Sequence, residues 1–209
     1  MVKTTQDIEA QAPQTPAKRR VRADAQRSSD ALLKAALEVF KTSGVDAPVR
    51  EIAEKAGVGI GTVYRNFPQR ADLVAAVFRQ EVDRCAAAAS QLAAEYGPGD
   101  ALAKWLQRYV DFLAAKRGLA KALHSGDPAF EALPAYFEGN LKPALESLLL
   151  RAAAAGEVRK DVDSLELLGA VTGLSMPTHD KRPDHARRMV ALLVEGLRHG
   201  TSPTLDPAP

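Results

Sequence analysis

The sequence predicts an all-α protein, with a three-helix N-terminal unit followed by a larger helical domain. Two observations carry that prediction. Hydrophobic residues make up 46% of the chain and aromatics only 5%, in segments dense in Ala, Leu and charge with no sustained alternation. Within those segments apolar residues recur at i, i+3, i+4 and i+7, and Gly or Pro punctuates the joins. At 209 residues the chain is long enough for one large domain or two small ones.

Met1 to Ala17 is polar, holds Pro13 and Pro16, and shows no periodicity, which reads as a disordered tail. The basic run Lys18, Arg19, Arg20 and Arg22 follows, with Arg27 just inside the fold. Ser28, Ser29 and Asp30 offer N-cap oxygens to a first helix ending near Ser43. Leu33, Ala36, Leu37 and Phe40 form its core face, and Gly44 closes it. Asp46 to Pro48 opens the second helix, with Asp46 as its cap and proline tolerated in the first turn. Val49, Ile52, Ala53 and Ala56 make the second helix's apolar stripe, and Gly57 supplies a left-handed end. Ile60, Val63, Tyr64 and Phe67 repeat the spacing on a third helix. Helices this short are marginal alone and must pack on the first. Two short helices about a glycine turn, the second free to lie in a groove, make a helix-turn-helix DNA reader.

Pro68 ends that third helix. A long helix then runs from near Arg70 past Cys85 to about Tyr96, with Leu73, Val77 and Phe78 on its buried side. Gly97-Pro98-Gly99 breaks it, and Asp100 caps a helix from Ala101 to about Arg117 with a wide apolar face. Leu119 to His124 reads as a short helix and Ser125 to Leu133 as a loop. Ala135 to Ala155 is a long helix bent at Pro143, Ser164 to Ser175 a helix of small and apolar residues, and Asp184 to His199 the last. The proline-bearing tail from Gly200 reads as disordered. The expected division is 1–27 tail and basic arm, 28–69 reader, 70–199 helical domain, 200–209 tail.

Charge supports the reader. Residues 1–70 hold 12 Lys+Arg against 8 Asp+Glu, a net of +4, while the remainder carries −2. The excess is the electrostatic footprint expected for phosphate contact. The single cysteine, Cys85, cannot form an internal disulfide, no apolar run reaches about 20 residues, and the first residues lack a hydrophobic signal core. A cytoplasmic protein without membrane association is expected. No nucleophile–base signature or phosphate-cradling loop is present, so no enzyme activity and no cofactor are expected. His179 and His185 flank Asp180 and Asp184, but that spacing is not a ligand pattern, so no metal is expected.

The segments LLKAALEVFKTSG, VREIAEKAGVGIGTVYRNF and PQRADLVAAVF, between Ser29 and Phe78, together resemble the DNA-binding domain of the TetR (tetracycline-repressor-like) family. Further on, LAKWLQRYVDFLAAKRGLAKAL and AAAAGEVRKDVDS look similar to an actinobacterial-type subset of those regulators. The resemblance implies a homodimer whose paired readers clamp a pseudo-palindromic double-stranded DNA operator. It also implies a C-terminal domain that dimerises and binds a small-molecule effector, so that the repressor leaves DNA when the effector binds. An activator or effector-free regulator of the same fold, and a helical small-molecule-binding protein with no DNA function, are the alternatives.

By position, the resemblance places Gly59, Ile60, Gly61, Thr62, Tyr64, Arg65 and Asn66 where the family's reading helix meets DNA. A glycine at Gly61 lets backbone approach a base edge or phosphate; close helix packing is its other explanation. Arg65 suits bidentate grip of guanine, Thr62 a phosphate or thymine methyl, and Tyr64 a shared role in core and phosphate contact. Arg50 and Arg70 suit phosphates, and Arg22 and Arg27 an arm along the backbone or minor groove; an ordinary solvated charge is the alternative for each. The family often has histidine at Asn66 and lysine at Arg70, and threonine where Ala47-Pro48 stands. For the effector, Trp105, Tyr109, Phe112, His124, Phe130, Tyr136 and Phe137 are the expected cavity lining, with plain core packing as the alternative. For the dimer interface, Leu168, Gly169, Thr172, Gly173, Met189, Leu192, Leu193 and Leu197 of the last two helices are expected, unless they complete each monomer's own core.

Overall fold

The computed structural model describes residues 16–176 and 184–199, with side chains described from residue 27 onward. Among the described residues there are nine α-helices and no strand: α1 Pro16–Ser43, α2 Val49–Ala56, α3 Ile60–Asn66, α4 Arg70–Glu95, α5 Pro98–Arg117, α6 Ala120–Leu123, α7 Leu133–Ala154, α8 Ser164–Leu174 and α9 His185–His199. A 3₁₀ turn, Pro128–Phe130, sits ahead of α7. The segment 177–183, with His179 and Asp180, and both outer tails beyond residues 16 and 199 lie outside the described residues.

The start of α1 departs from expectation. Ser28, Ser29 and Asp30 do not cap it, because the helix already begins at Pro16 and takes in the basic run. From residue 32 on it buries Leu32, Leu33, Ala36, Leu37 and Phe40 as one face. Ile52 and Ala53 of α2 and Val63 of α3 close that small core from the other side, joined by Leu73 and Val74 from the head of α4. Gly57 ends α2 with φ of 68°, a left-handed turn that a residue with a Cβ adopts only at a cost. Gln69 and Asp72 then cap α4 reciprocally, the Gln69 backbone N–H donating to Asp72 at 3.0 Å.

Two aspartates that look like caps are used otherwise. Pro48, not Asp46, stands at the α2 N-cap, and the Asp46 carboxylate pairs with Lys121 of α6. Gly97 precedes α5 with Pro98 in its first turn, and Asp100 instead pairs with Arg198 of α9 at 2.8 Å.

In the larger domain α4 packs most extensively against α7 and α5. The α5 residues Trp105, Tyr109 and Phe112 are buried in a stack, with ring centroids 5.8 Å and 5.9 Å apart. The Trp105 indole N–H donates to the Cys85 carbonyl at 2.8 Å, tying α5 to the middle of α4. Asp163 caps α8 by accepting from the Leu165 and Glu166 backbone N–H groups at 2.8 Å and 2.9 Å.

Candidate nucleic-acid interface and internal cavity

Helix α3 carries its apolar residues in an uneven way. Val63 is buried and Phe67 is half-buried against the core, but Ile60 and Tyr64 are 46% and 51% exposed. A seven-residue helix with an isoleucine and a tyrosine ring outside its core presents them to something other than its own fold. Gly59 and Gly61 sit on this helix's opening turn, and a Cβ placed on either would meet no atom within 4 Å. Close helix packing therefore does not explain Gly61. Its bareness leaves the exposed helix surface open to a bulky neighbour.

The polar side chains of α3 are held in place from within the helix. The Arg65 guanidinium donates to the Thr62 hydroxyl at 3.0 Å, and the Asn66 amide donates to the Thr62 carbonyl at 2.8 Å. Arg65 stays exposed with most of its donors outward. On α2, Arg50 is exposed and pairs with Glu54 at 2.9 Å, a contact open to solvent and readily exchanged. Arg27 is exposed on α1. Arg22 lies within α1.

Arg70, expected at a phosphate, also has partners within the chain. At the head of α4 and half-buried, it donates to the carbonyls of Val45 and Ala47, at 2.7 Å in the second case. These carbonyls belong to the loop between α1 and α2, so Arg70 braces the reader against α4. Ala47 is itself buried, which explains a residue without a donor at that position.

A cavity of about 620 Å³ opens within the larger domain, in the range of pockets for drug-sized ligands. Phe78 of α4, Tyr109 and Lys116 of α5, and Leu123 and His124 at the end of α6 line it. Phe130, then Leu133, Pro134, Phe137 and Glu138 of α7, form another wall, and Leu165, Leu168, Gly169 and Thr172 of α8 complete it. Of the seven expected lining residues, Tyr109, His124, Phe130 and Phe137 are there. Trp105 is fully buried beneath Tyr109, and Phe112 is buried in the stack behind it. Tyr136 turns the other way and donates its hydroxyl to Asp83 at 2.6 Å. The Tyr109 and Thr172 hydroxyls share a hydrogen bond of 2.9 Å, and burial pushes the tyrosine up to about 12 despite it.

Sequence reasoning missed Lys116. It continues the α5 stripe of Leu102, Trp105, Tyr109 and Phe112 at alternating spacings of three and four, so a charge on that face was a visible signal. Its ammonium lies 6.0 Å and 5.9 Å from the ring centroids of Phe78 and Phe137, and burial lowers its pKa.

Several residues expected at a dimer interface are engaged inside the chain. Leu168 and Leu197 are buried, Thr172 bonds Tyr109, and Gly169 lines the cavity. Met189 and Leu193 are half-buried, while Gly173 and Leu192 are exposed, Leu192 at 64%. Among the described residues no group of three His, Cys, Asp or Glu side chains gathers, and no helix is long and apolar enough to cross a membrane.

Residues 32–77 match the bacterial regulatory proteins of the tetR family, and residues 97–199 match the C-terminal domain of SbtR-like transcriptional regulators. No curated protein matches the chain. Among solved structures, a TetR transcriptional regulator of Streptomyces coelicolor is 38% identical, with a TM-score of 0.71 over 82% of this chain and 99% of that one. A TetR regulatory protein of Mycobacterium vanbaalenii is 36% identical, with a TM-score of 0.67 over 85% of this chain and 99% of that one. With its exposed reading helix, its internal cavity and these relatives, the chain belongs to the TetR family of transcriptional regulators.

Proposed function

We propose that the protein is a ligand-responsive repressor that binds a pseudo-palindromic operator as a homodimer in the cytoplasm and leaves it when a small molecule fills the cavity. The observation that carries this reading is the physical continuity between cavity and reader. Helix α6 lines the cavity with Leu123 and His124, and on the same short helix Lys121 pairs with Asp46 in the loop that starts α2. Gly118, just ahead of α6, lies so close to α1 that a Cβ there would sit 3.1 Å from the Phe40 carbonyl. Arg70 holds the same loop from the α4 side. A ligand that displaces α6 acts on the Lys121 support of the reader, and one that displaces the Phe78 region of α4 acts on the Arg70 support.

On DNA, α3 lies in the major groove with Arg65 at a base edge, Gly61 facing the backbone or a base, and Thr62, Tyr64 and Asn66 around them. Arg50, Arg27 and Arg22 supply phosphate contacts that set register. The dimer is formed by the outward faces of α8 and α9, where Gly173, Leu192 and Gly196 are exposed. A gel-shift titration against the DNA upstream of the chain's own coding sequence tests the reading. Expected are a saturable complex, a loss of about tenfold or more in Arg65→Ala, and weakening with salt. Absence of a complex with any operator fragment, or unaltered affinity in Arg65→Ala, would overturn it.

A further inference from the structure

Lys116 is the one cation among the cavity-lining residues, not counting His124, and among the described residues it has no hydrogen bond and no carboxylate within ion-pair reach. Glu138, the only carboxylate in the lining, is exposed and makes no ion pair with it. The faces of Phe78 and Phe137 offset part of the cost of holding an ammonium there. They supply no hydrogen-bond acceptor, so the three N–H donors of the ammonium are left to whatever fills the cavity. Around that point the wall is apolar: Phe130, Leu133, Phe137 and Leu168. A half-buried charge in such a wall disfavours a cationic guest and favours an anion that pairs with it over a neutral guest of the same shape.

We propose that this cavity selects an amphipathic monoanion, an aryl or alkyl carboxylate, whose carboxylate pairs with the Lys116 ammonium while its apolar body lies among Phe130, Phe137, Leu133 and Leu168. The inference rests on reading this cavity as the effector site. Selectivity comes from the buried cation, and shape among acids comes from the rings and leucines.

The test is calorimetric titration of the full-length protein with naphthoate and octanoate, and with naphthylmethanol and octanol as their uncharged counterparts. The native protein is expected to bind each acid at least about tenfold more tightly than its alcohol, as for a charged hydrogen bond in a partly dry site. Lys116→Met keeps an apolar stem under the rings and is expected to abolish that preference while leaving alcohol binding in place. Lys116→Arg keeps the charge and is expected to retain it. Equal binding of acid and alcohol by the native protein, or an acid preference that survives Lys116→Met, overturns the anion inference but leaves the cavity as a ligand site. Failure of all four probes to bind overturns the inference together with the effector reading of the cavity.

Discussion

Replacing Arg70 by glutamine separates two roles for one cation. In the structure its guanidinium donates to the carbonyls of Val45 and Ala47 from a half-buried position. Hydrogen bonds to a charged donor contribute about 1.5–3 kcal/mol each, and partial exposure and shared geometry reduce the pair to about 2 kcal/mol together. Arg70→Gln is therefore expected to lower stability by about that amount in urea denaturation, without a change in the denaturant slope. Amide exchange should quicken in the loop between α1 and α2, since the substitution removes its brace. Operator affinity should fall because α2 and α3 are held less firmly. The dependence of log affinity on log salt, however, should keep its slope. Removing a cation that neutralises a phosphate would instead flatten that slope by about 0.9 per protomer, about 1.8 for a homodimer on its operator. Unchanged stability together with a flattened slope would refute the bracing role and restore the phosphate role.

Three further outcomes follow from other sites. Gly61→Leu should fold with stability equal to or up to about 1 kcal/mol above the native chain, since a Cβ meets nothing there and leucine favours a helix, yet bind operator at least about tenfold more weakly. Retained operator affinity in that variant would remove Gly61 from the DNA surface. Leu192→Asp places a charge on the exposed face of α9 and should shift sedimentation toward monomer with helix content preserved; an unaltered dimer would move the interface elsewhere. Burial pushes the Cys85 thiol from 9.0 up to about 12 and the Tyr109 hydroxyl from 10.0 up to about 12. Between those values the folded chain keeps protons that the unfolded chain has released, so stability falls as pH rises. The loss should start near pH 9 for Cys85 and near pH 10 for Tyr109, with a slope of about 1.4 kcal/mol per pH unit for each group. Cys85→Ala/Tyr109→Phe should flatten the decline across that window, and an unchanged slope would rule out both groups as its source.

What could be read from the sequence was whatever neighbours within one turn or two decide. The end of α2 at the left-handed Gly57 and the limits of α3 follow from local spacing and from glycine's freedom at positive φ, and they stand in the structure. Cap assignments failed where a side chain found a distant partner. Asp46 and Asp100 suit helix starts by type, but their partners, Lys121 and Arg198, are 75 and 98 residues away, and nothing local announces them. Ser28 to Asp30 look like a cap because these residues suit helix starts, yet the helix passes through them. In the cavity, aromatic content located the right region but not the direction of each ring. Tyr136 follows its hydroxyl to Asp83, and Trp105 follows its N–H to the Cys85 carbonyl, and both leave the cavity. Helical period placed Leu168 and Leu197 on an apolar face, but it does not tell a face turned to the chain's own core from one turned to a second copy.

The Trp105–Cys85 bond has a mechanical consequence. It pins α4 at one point along its length, inside a dry core where the bond exchanges with no water. Were α4 to turn against α5, that buried bond would be its natural pivot. At 1.5 Å per residue, Phe78 in the cavity wall lies about 10 Å from the pivot and Arg70, at the reader, about 22 Å along the same side. In the proposed repressor, a push by a guest on the Phe78 ring would arrive at Arg70 roughly doubled, turning sub-ångström crowding in the cavity into a larger displacement at the reader.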